Sequence, residues 1–274
     1  MLSLTTLHSV SPLEAKGMDT QSLRANFLFD QAFAPDEMKL LYTHYDRMIV
    51  GGVLPEGGDL TMDHVTECGT DSILDRREMG ILNLGATAVV TISTGAHQLE
   101  AGDMLYLGKG SGPMTFGQGG QFYVASTPAH RTLRSKHITP ADASKLNLGK
   151  APTVNDRTIY QFIHPDVMES CQLVMGYTKL HDGSVWNTVP AHVHDRRIEA
   201  YLYFDLATEN RVFHFMGQPQ ETRHIVIGNK EVVISPPWSI HCGCSTGRYS
   251  FCWVMGGDNV DYADVDMVAI GDLQ

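Results

Sequence analysis

Short apolar runs bounded by turn-forming residues recur along almost the whole chain. The runs at 80–84, 200–204 and 231–234 are examples, each followed within two residues by Gly, Asp or Pro. Runs of this length with such flanks are typical of β-strands. Helix signals are sparse; the clearest is Asp19, which can cap a short helix that ends at about Phe27. The chain is therefore predicted to be all-β, built of jelly rolls or barrels with a few short helices.

The chain also contains an internal repeat. Asp75-Arg76-Arg77 recurs as Asp195-Arg196-Arg197, and each tripeptide leads into an apolar run. The segments 101–108 and 228–235 then occupy matching places in the two halves. Such repetition predicts two tandem β-domains. We place an N-terminal domain at 1–128, a polar linker with Lys and Pro at 129–154, and a C-terminal domain at 155–274.

Three residues of the second half have the spacing of metal ligands. Residues i and i+2 of a β-strand face the same side, so His192 and His194 can both reach one ion. Glu199 lies at an odd offset from His194, so the polar run 195–197 must bend or bulge the chain before a second strand. On that second strand, Glu199 and Tyr201 are predicted to share one face.

The fourth ligand is expected from a later strand. Pro236-Pro237 ends the apolar run 231–234, and His241 begins the next extended segment. Together with His192, His194 and Glu199 it has the spacing of a cupin metal site. Three imidazoles and one carboxylate suit a divalent transition metal with at least one open position. The matching region of the first half has no such histidines, so the N-terminal domain is predicted to be without metal ligands.

Composition excludes several classes of partner. The net charge is −11 over 274 residues without a basic block, which argues against nucleic-acid or anionic-membrane partners and leaves an anionic substrate possible. No segment approaches the roughly 18 apolar residues of a membrane span, and the N-terminus lacks signal-peptide features, so we expect a cytoplasmic protein. Five scattered cysteines indicate reduced thiols, and strand alternation turns Cys242 and Cys244 away from the metal side of His241.

Five stretches carry a resemblance to a known family. They are MDTQSLR at 18–24, DRMIVGG at 46–52, WNTVPAHVHDRR at 186–197, MGQPQETRH at 216–224 and SPPWSIH at 235–241. Together they resemble the 4-deoxy-L-threo-5-hexosulose-uronate ketol-isomerases, also called 5-keto-4-deoxyuronate isomerases, a family of bicupin sugar isomerases. The resemblance extends over nearly the whole chain and is most specific in the second half.

The resemblance implies a cytoplasmic bicupin that binds one zinc ion per subunit and assembles as a hexamer. It implies conversion of a 4-deoxy-5-keto-uronate, released from pectin-type oligosaccharides, into 3-deoxy-D-glycero-2,5-hexodiulosonate. Carried over by motif, the family's zinc ligands fall on His192, His194, Glu199 and His241. The general cupin pattern differs at Trp238, which stands where glycine is usual, and by the lack of an asparagine at the usual distance after His241.

The implied reaction moves a carbonyl from C1 to C2 of an open-chain sugar acid through an enediol. It needs a base within hydrogen-bond reach of the C2 proton. Glu221 and His224, in the polar segment 218–224, are candidates for this base, and a hydroxide on the metal is a third option.

The substrate carboxylate calls for an arginine, whose guanidinium matches it in bidentate geometry. Arg196, Arg197 and Arg223 are the candidates. The Arg-Arg pair recurs in the first half, which has no predicted metal ligands, so its role can be structural. This favours Arg223 as the residue that binds the carboxylate. Tyr201 and Trp238 are predicted to line the substrate pocket.

Three other functions remain open from the sequence. The nearest is a 5-deoxy-glucuronate isomerase of inositol breakdown, which would share the fold and the metal site. A cupin with three histidines and one glutamate that holds iron could instead be a dioxygenase. The third is a metal-stabilised sugar-binding or storage protein without turnover.

Overall fold

The computed structural model describes all 274 residues and consists mainly of β-strands. The first twelve strands are β1 (Leu2–Leu7), β2 (Leu28–Phe29), β3 (Glu37–Thr43), β4 (Ile49–Leu54), β5 (Leu60–Met62), β6 (Arg77–Asn83), β7 (Ala88–Ile92), β8 (Gly95–Leu99), β9 (Met104–Leu107), β10 (Met114–Phe116), β11 (Phe122–Pro128) and β12 (Lys136–Ile138). The other twelve are β13 (Ser144–Leu148), β14 (Arg157–Ile163), β15 (Val174–Leu180), β16 (Trp186–Asn187), β17 (His192–Val193), β18 (Arg197–Phe204), β19 (Val212–Gln218), β20 (Glu221–Ile227), β21 (Val232–Ser235), β22 (Cys242–Ser245), β23 (Ser250–Gly257) and β24 (Asp266–Met267).

Helices are few and short, as predicted. The α-helices are α1 (Pro12–Lys16) and α2 (Thr20–Phe27), and 3-10 helices lie at Thr66–Cys68, Ile73–Asp75, Ala151–Thr153 and Ile270–Asp272. Asp19 caps α2 as expected, because its carboxylate accepts a hydrogen bond from the Ser22 N–H at 2.8 Å. The chain contains no helix whose length and hydropathy would let it cross a bilayer.

The strands form two sandwiches with the same strand order. In the first, a seven-stranded sheet β1-β3-β4-β11-β6-β9-β12 packs on a four-stranded sheet β5-β10-β7-β8. In the second, the corresponding orders are β13-β14-β15-β23-β18-β21-β2 and β16-β22-β19-β20. Strand β6 takes the place that β18 takes in the second half, and Arg77 and Arg197 begin these two strands. The repeated tripeptide therefore marks a structural repeat, and the tandem jelly-roll prediction is confirmed.

Both faces of the central strands of the two large sheets are buried. Successive strand residues alternate between faces, so Ile81 of β6 points into the first sandwich and Leu82 into the contact between the halves. Tyr201 and Leu202 of β18 divide in the same way, Tyr201 facing the second sandwich and Leu202 the contact between the halves. The two seven-stranded sheets thus pack against each other and share one apolar core.

Two segments lie in sheets that their sequence position does not suggest. Strand β2 pairs with β21 of the second half, and Leu23 and Phe27 of α2 pack in the second core. Strand β13, which falls within the predicted linker, forms the edge of the second large sheet beside β14. The domain boundaries at 128 and 155 stay a prediction. The N-terminal helices pack on the second sandwich, which carries the histidine cluster.

Candidate metal centre

The four residues selected by spacing meet in the second sandwich. One ligand atom from each of His192, His194, Glu199 and His241 lies within 4.8 Å of the others. His194, Glu199 and His241 are buried, whereas His192 is half-buried. This is the arrangement that alternation along two strands predicted.

The predicted bend between the first two strands is present. His192 lies in β17, and a turn closed by the Arg197 N–H donating to the His194 carbonyl at 3.0 Å leads into β18. The turn reverses the facing of the chain, so Glu199, at the third position of β18, points to the same ion site as the histidines. The turn at Asp195-Arg196 therefore accounts for the odd offset between His194 and Glu199.

His241 reaches the site from the neighbouring strand pair. Strand β21 ends at Ser235, a turn follows in which the Ser239 N–H donates to the Pro236 carbonyl at 2.9 Å, and His241 directly precedes β22. Ser235 Oγ lies 3.2 Å from His241 Nδ1. This contact fixes the ring so that its Nε2 points toward Glu199.

The donor atoms fit a small divalent metal. His194 Nδ1 donates to the Arg197 carbonyl at 2.9 Å, which leaves its Nε2 free, 3.0 Å from Glu199 Oε2. His241 Nε2 lies 3.0 Å from the same oxygen and 2.9 Å from His192 Nε2. A tetrahedral zinc ion with bonds of about 2.0–2.1 Å separates its ligands by roughly 3.4 Å, so these three pairs of atoms would move apart by a few tenths of an ångström to admit it.

The electrostatics place the ligands largely in the charge states that a metal requires. Burial, with a contribution from His241, lowers the pKa of His192 to about 3. Burial likewise lowers the pKa of His241. Burial would raise the pKa of Glu199, but His241 and His194 outweigh it and hold that pKa well below its ordinary value. Two histidines are thus neutral and the carboxylate is charged at pH 7, as metal ligands must be.

His194 behaves differently from the other two histidines. Burial would lower its pKa, but the hydrogen bond and the charge of Glu199 outweigh burial and raise it. Glu199 thus favours the protonated form of this imidazole, and a bound ion would displace that proton.

A cavity of about 450 Å³ lies against the cluster. His192 and Glu199 contribute to its wall, while His194 and His241 are buried behind them. Tyr201 lines this cavity, and burial raises its pKa well above the ordinary value. Apolar side chains make up most of the remaining wall, which is the usual composition of a small-molecule site.

The Arg-Arg pair is part of the framework. Arg197 is buried and donates from Nη2 to the Asp264 carbonyl at 2.7 Å, outside the cavity wall. Its counterpart Arg77 is also buried and donates to the carbonyl of Ser126 at 2.8 Å. Arg196 pairs with Asp264 at 2.6 Å. The recurrence of the tripeptide thus reflects how the two equivalent strands begin, and Arg197 does not line the cavity beside the cluster.

Four further residues predicted for the site lie elsewhere. Glu221 pairs with Lys16 of α1 at 3.3 Å and with Arg223 at 2.9 Å, and Arg223 also donates to the Lys16 carbonyl. Trp238 donates from Nε1 to the Val10 carbonyl at 3.2 Å. His224 is exposed on β20.

None of these four lines the metal cavity. For Glu221, Arg223 and His224 the physical reason is that β20 is the edge strand of the small sheet, where α1 supplies a cation for Glu221. The Trp238 indole is instead engaged by the Val10 carbonyl of the N-terminal segment. Sequence position beside a polar loop did not reveal this packing.

A family model for the KduI/IolB family matches residues 47–268, which include the cluster and the whole cavity wall. The chain belongs to this family. Two relatives named 4-deoxy-L-threo-5-hexosulose-uronate ketol-isomerase support the assignment. That of Cereibacter sphaeroides is 58% identical over 267 residues, 97% of each chain. That of Agrobacterium fabrum is 55% identical over 274 residues, 100% of each chain.

Solved structures of lower identity share the fold of this KduI/IolB family member. An IolB-like protein from Salmonella typhimurium superposes with a TM-score of 0.67 at 15% identity, covering 81% of this chain and 86% of that one. Oxalate decarboxylase of Bacillus subtilis superposes with a TM-score of 0.57 at 11% identity, covering 80% and 71%. The likeness concerns the fold alone and confirms the predicted cupin-type architecture.

Sequence reasoning missed two ionisable residues in the cavity of this KduI/IolB family member, Arg157 and Tyr262. Arg157 begins β14 two residues before the buried Ile159, so period-two alternation would have placed it on the inner face. Tyr262 belongs to a non-regular segment after β23, where no periodicity exists to read. Its ring packs on Trp253 with centroids 5.3 Å apart.

Proposed function

We propose that the protein is a metal-dependent ketol-isomerase. Its substrate is 4-deoxy-L-threo-5-hexosulose uronate (5-dehydro-4-deoxy-D-glucuronate), and its product is 3-deoxy-D-glycero-2,5-hexodiulosonate. The observation that carries the proposal is the cluster of three histidines and Glu199 against a cavity. It occurs in a chain that is 58% identical to a relative bearing this enzyme's name. The metabolic setting that we propose is the breakdown of pectin-derived unsaturated uronates.

Zinc is the metal that we propose, one ion per subunit, held by His192, His194, Glu199 and His241. When bound, such an ion stabilises negative charge that develops on the substrate during enolisation. Three nitrogen donors and one carboxylate are a ligand set that zinc accepts. Ketol isomerisation transfers no electron to or from the enzyme, so a metal without redox chemistry is sufficient.

The chain's own residues orient the substrate and exclude water. Phe251, Trp253 and Met255 of β23 form an apolar side of the cavity, and low polarity there strengthens every electrostatic interaction with the substrate. Burial raises the pKa of Tyr262, so its hydroxyl keeps its proton at neutral pH. From the cavity wall this O–H can donate a hydrogen bond to a substrate oxygen on which charge develops.

The function that competes most closely is isomerisation of 5-deoxy-glucuronate. It would use the same kind of metal site and the same fold. Two relatives at 58% and 55% identity bear the ketol-isomerase name, which favours the deoxy-keto-uronate. Assaying both substrates with one preparation separates the two functions, since only one should be converted efficiently. An iron dioxygenase would instead consume O₂, which an oxygen electrode detects.

We also propose a cytoplasmic hexamer, on the resemblance to the family. Strand β13 supports subunit contact, because it is an edge strand whose Leu146 and Leu148 side chains are exposed. Sedimentation velocity on the purified protein measures the subunit number directly. A monomer at micromolar concentration would contradict the hexamer.

The test of the proposed function is NMR-monitored incubation with the keto-uronate in D₂O, together with metal analysis. The wild-type protein is expected to form the 2,5-diulosonate and to contain one metal ion per chain. The variant His192→Ala is expected to lose both properties while its circular dichroism spectrum is unchanged. His130→Ala is the matched control, because His130 is exposed and far in sequence from the cluster. Intact substrate beside fully metal-loaded wild-type protein would refute the proposal.

A further inference from the structure

Arg157 is the only arginine or lysine in the wall of the metal cavity. It lies at the start of β14, opposite Leu148 of β13 and Leu180 of β15. The other ionisable side chains of the wall are His192, Glu199, Tyr201 and Tyr262. The cavity therefore combines a candidate metal centre with a single permanent cation.

The guanidinium of Arg157 is held in place but not neutralised. Nη1 donates to the Asn155 carbonyl at 2.7 Å, and this is its one hydrogen bond within the protein. No carboxylate forms an ion pair with it, whereas Arg196 and Arg223 pair with acidic side chains at 2.6 and 2.9 Å. The remaining N–H donors of Arg157 are available to a ligand in the cavity.

A cation in this position is costly without a counter-ion. Arg157 is half-buried, and burial lowers its pKa, although an arginine stays charged at every physiological pH. Removing a charge from water without pairing it is unfavourable, and a bound anion offsets that cost. A planar guanidinium with free donors recognises a carboxylate with particular geometric fit.

We propose that Arg157 binds the carboxylate of the substrate and that the reacting end of the open chain faces His192 and Glu199. This inference rests on the proposed function and adds the residue that selects acids over neutral sugars. It replaces Arg223, whose guanidinium is occupied by Glu221 and by the Lys16 carbonyl. Arg157 acts as a binding and orienting residue, and no chemical step passes through it.

The kinetic test compares Arg157→Gln and Arg157→Lys with the wild type in the keto-uronate assay. Loss of one charge-assisted hydrogen-bonding group is expected to raise KM about 10- to 100-fold for Arg157→Gln, with kcat changed less. Arg157→Lys keeps the charge but loses the bidentate geometry of the guanidinium, so its KM should lie between those of the wild type and Arg157→Gln. Zinc content and Tm should match the wild type. Arg211→Gln is the matched control, since Arg211 also donates from Nη1 to nearby carbonyls but lies outside the cavity.

Two further measurements separate binding from folding and from turnover. Guanidinium ion at tens of millimolar should restore part of the activity of Arg157→Ala and leave Arg211→Ala unchanged, which a purely structural role would not produce. Calorimetric titration of the zinc-loaded protein with D-glucarate and with neutral D-glucitol needs no turnover. The wild type should prefer the acid by at least about 10-fold, and Arg157→Gln should lose that preference.

The outcomes distinguish the two proposals. If the wild type leaves the keto-uronate intact but prefers glucarate in an Arg157-dependent way, the proposed function fails and the anion site stands. If the wild type converts the substrate while Arg157→Gln keeps KM within twofold and the same preference for glucarate, the assignment of Arg157 is overturned.

Discussion

Replacement of Glu78 by glutamine is expected to destabilise the protein strongly, although Glu78 lies far from the metal cluster in sequence. Glu78 follows Arg77 in β6 and is fully buried. Its Oε1 accepts hydrogen bonds from the N–H groups of Gln172 and Leu173 at 2.7 and 2.8 Å and from the Thr127 hydroxyl at 3.2 Å.

The second carboxylate oxygen is equally occupied. Oε2 of Glu78 accepts from the Cys171 N–H at 2.8 Å and from the Tyr106 hydroxyl at 2.6 Å. One carboxylate of the first half thus satisfies three consecutive backbone N–H groups that lead into β15 of the second half. In the structural repeat Ile198 takes the place of Glu78, so the second half has no equivalent carboxylate at this position.

The magnitude follows from counting the donors that an amide would leave without an acceptor. An NH₂ group in place of Oε2 leaves two donors unsatisfied, and in place of Oε1 it leaves three. Each buried unsatisfied donor costs about 1–3 kcal/mol, so in the less costly orientation, with two unsatisfied donors, Glu78→Gln should lower the free energy of unfolding by about 2–6 kcal/mol. For a chain of this size the corresponding fall in Tm is roughly 5–15 °C.

The assay is differential scanning calorimetry with urea denaturation at pH 7. Glu209→Gln is the control, because Glu209 is exposed, and a surface change of this kind should stay within about 0.5 kcal/mol. A loss below about 1 kcal/mol for Glu78→Gln would show that the five hydrogen bonds to this carboxylate, three of which join the two halves, do not stabilise the fold as described.

Three other predictions concern zinc affinity, the stability of the fold at acid pH and the close packing of two strands at Gly176. His192→Ala should weaken zinc binding by more than the roughly 100-fold that loss of an outer partner costs, measured by competition with a chelator. Arg196, by hydrogen bonding, lowers the pKa of Asp264 from 3.8 to about 2, so this pair stabilises the fold above about pH 4 and stops doing so as pH falls toward 2. Urea denaturation of Asp264→Asn across that range should show a flatter pH dependence than the wild type; an identical slope would contradict the pairing. Gly176→Ala should cost more than about 2 kcal/mol, because the added Cβ would clash with the Tyr160 carbonyl oxygen of the neighbouring strand; Gly58→Ala, with open space around it, should be neutral.

Local periodicity predicted the ligand cluster because its geometry is local. His192 and His194 share a strand face, and the offset of Glu199 demanded a turn, which the structure contains. His241 could be predicted for the same reason, since Pro236-Pro237 ends one strand and the next begins directly after the histidine. The repeated tripeptide likewise located the equivalent strands of the two halves.

Packing between segments that are distant in sequence could not be predicted from local periodicity. Alternation tells which face of a strand a residue occupies, but not what covers that face. Glu221 and Arg223 point toward α1, whose position on the second sandwich depends on a pairing between β2 and β21 more than 200 residues apart. Arg157 carried a local signal, its spacing from Ile159, but only the assembled sandwich shows that it and the metal ligands share one cavity.

The most direct test of metal-dependent isomerisation is stepwise reconstitution. Protein freed of metal by a chelator is titrated with zinc while conversion of the keto-uronate is followed by NMR. Activity should be absent at the start, rise in proportion to added zinc and stop rising at one equivalent per chain, with no rise for His192→Ala. Full activity in the metal-free protein, or a rise that continues unchanged in His192→Ala, would contradict a reaction at the His192, His194, Glu199 and His241 cluster.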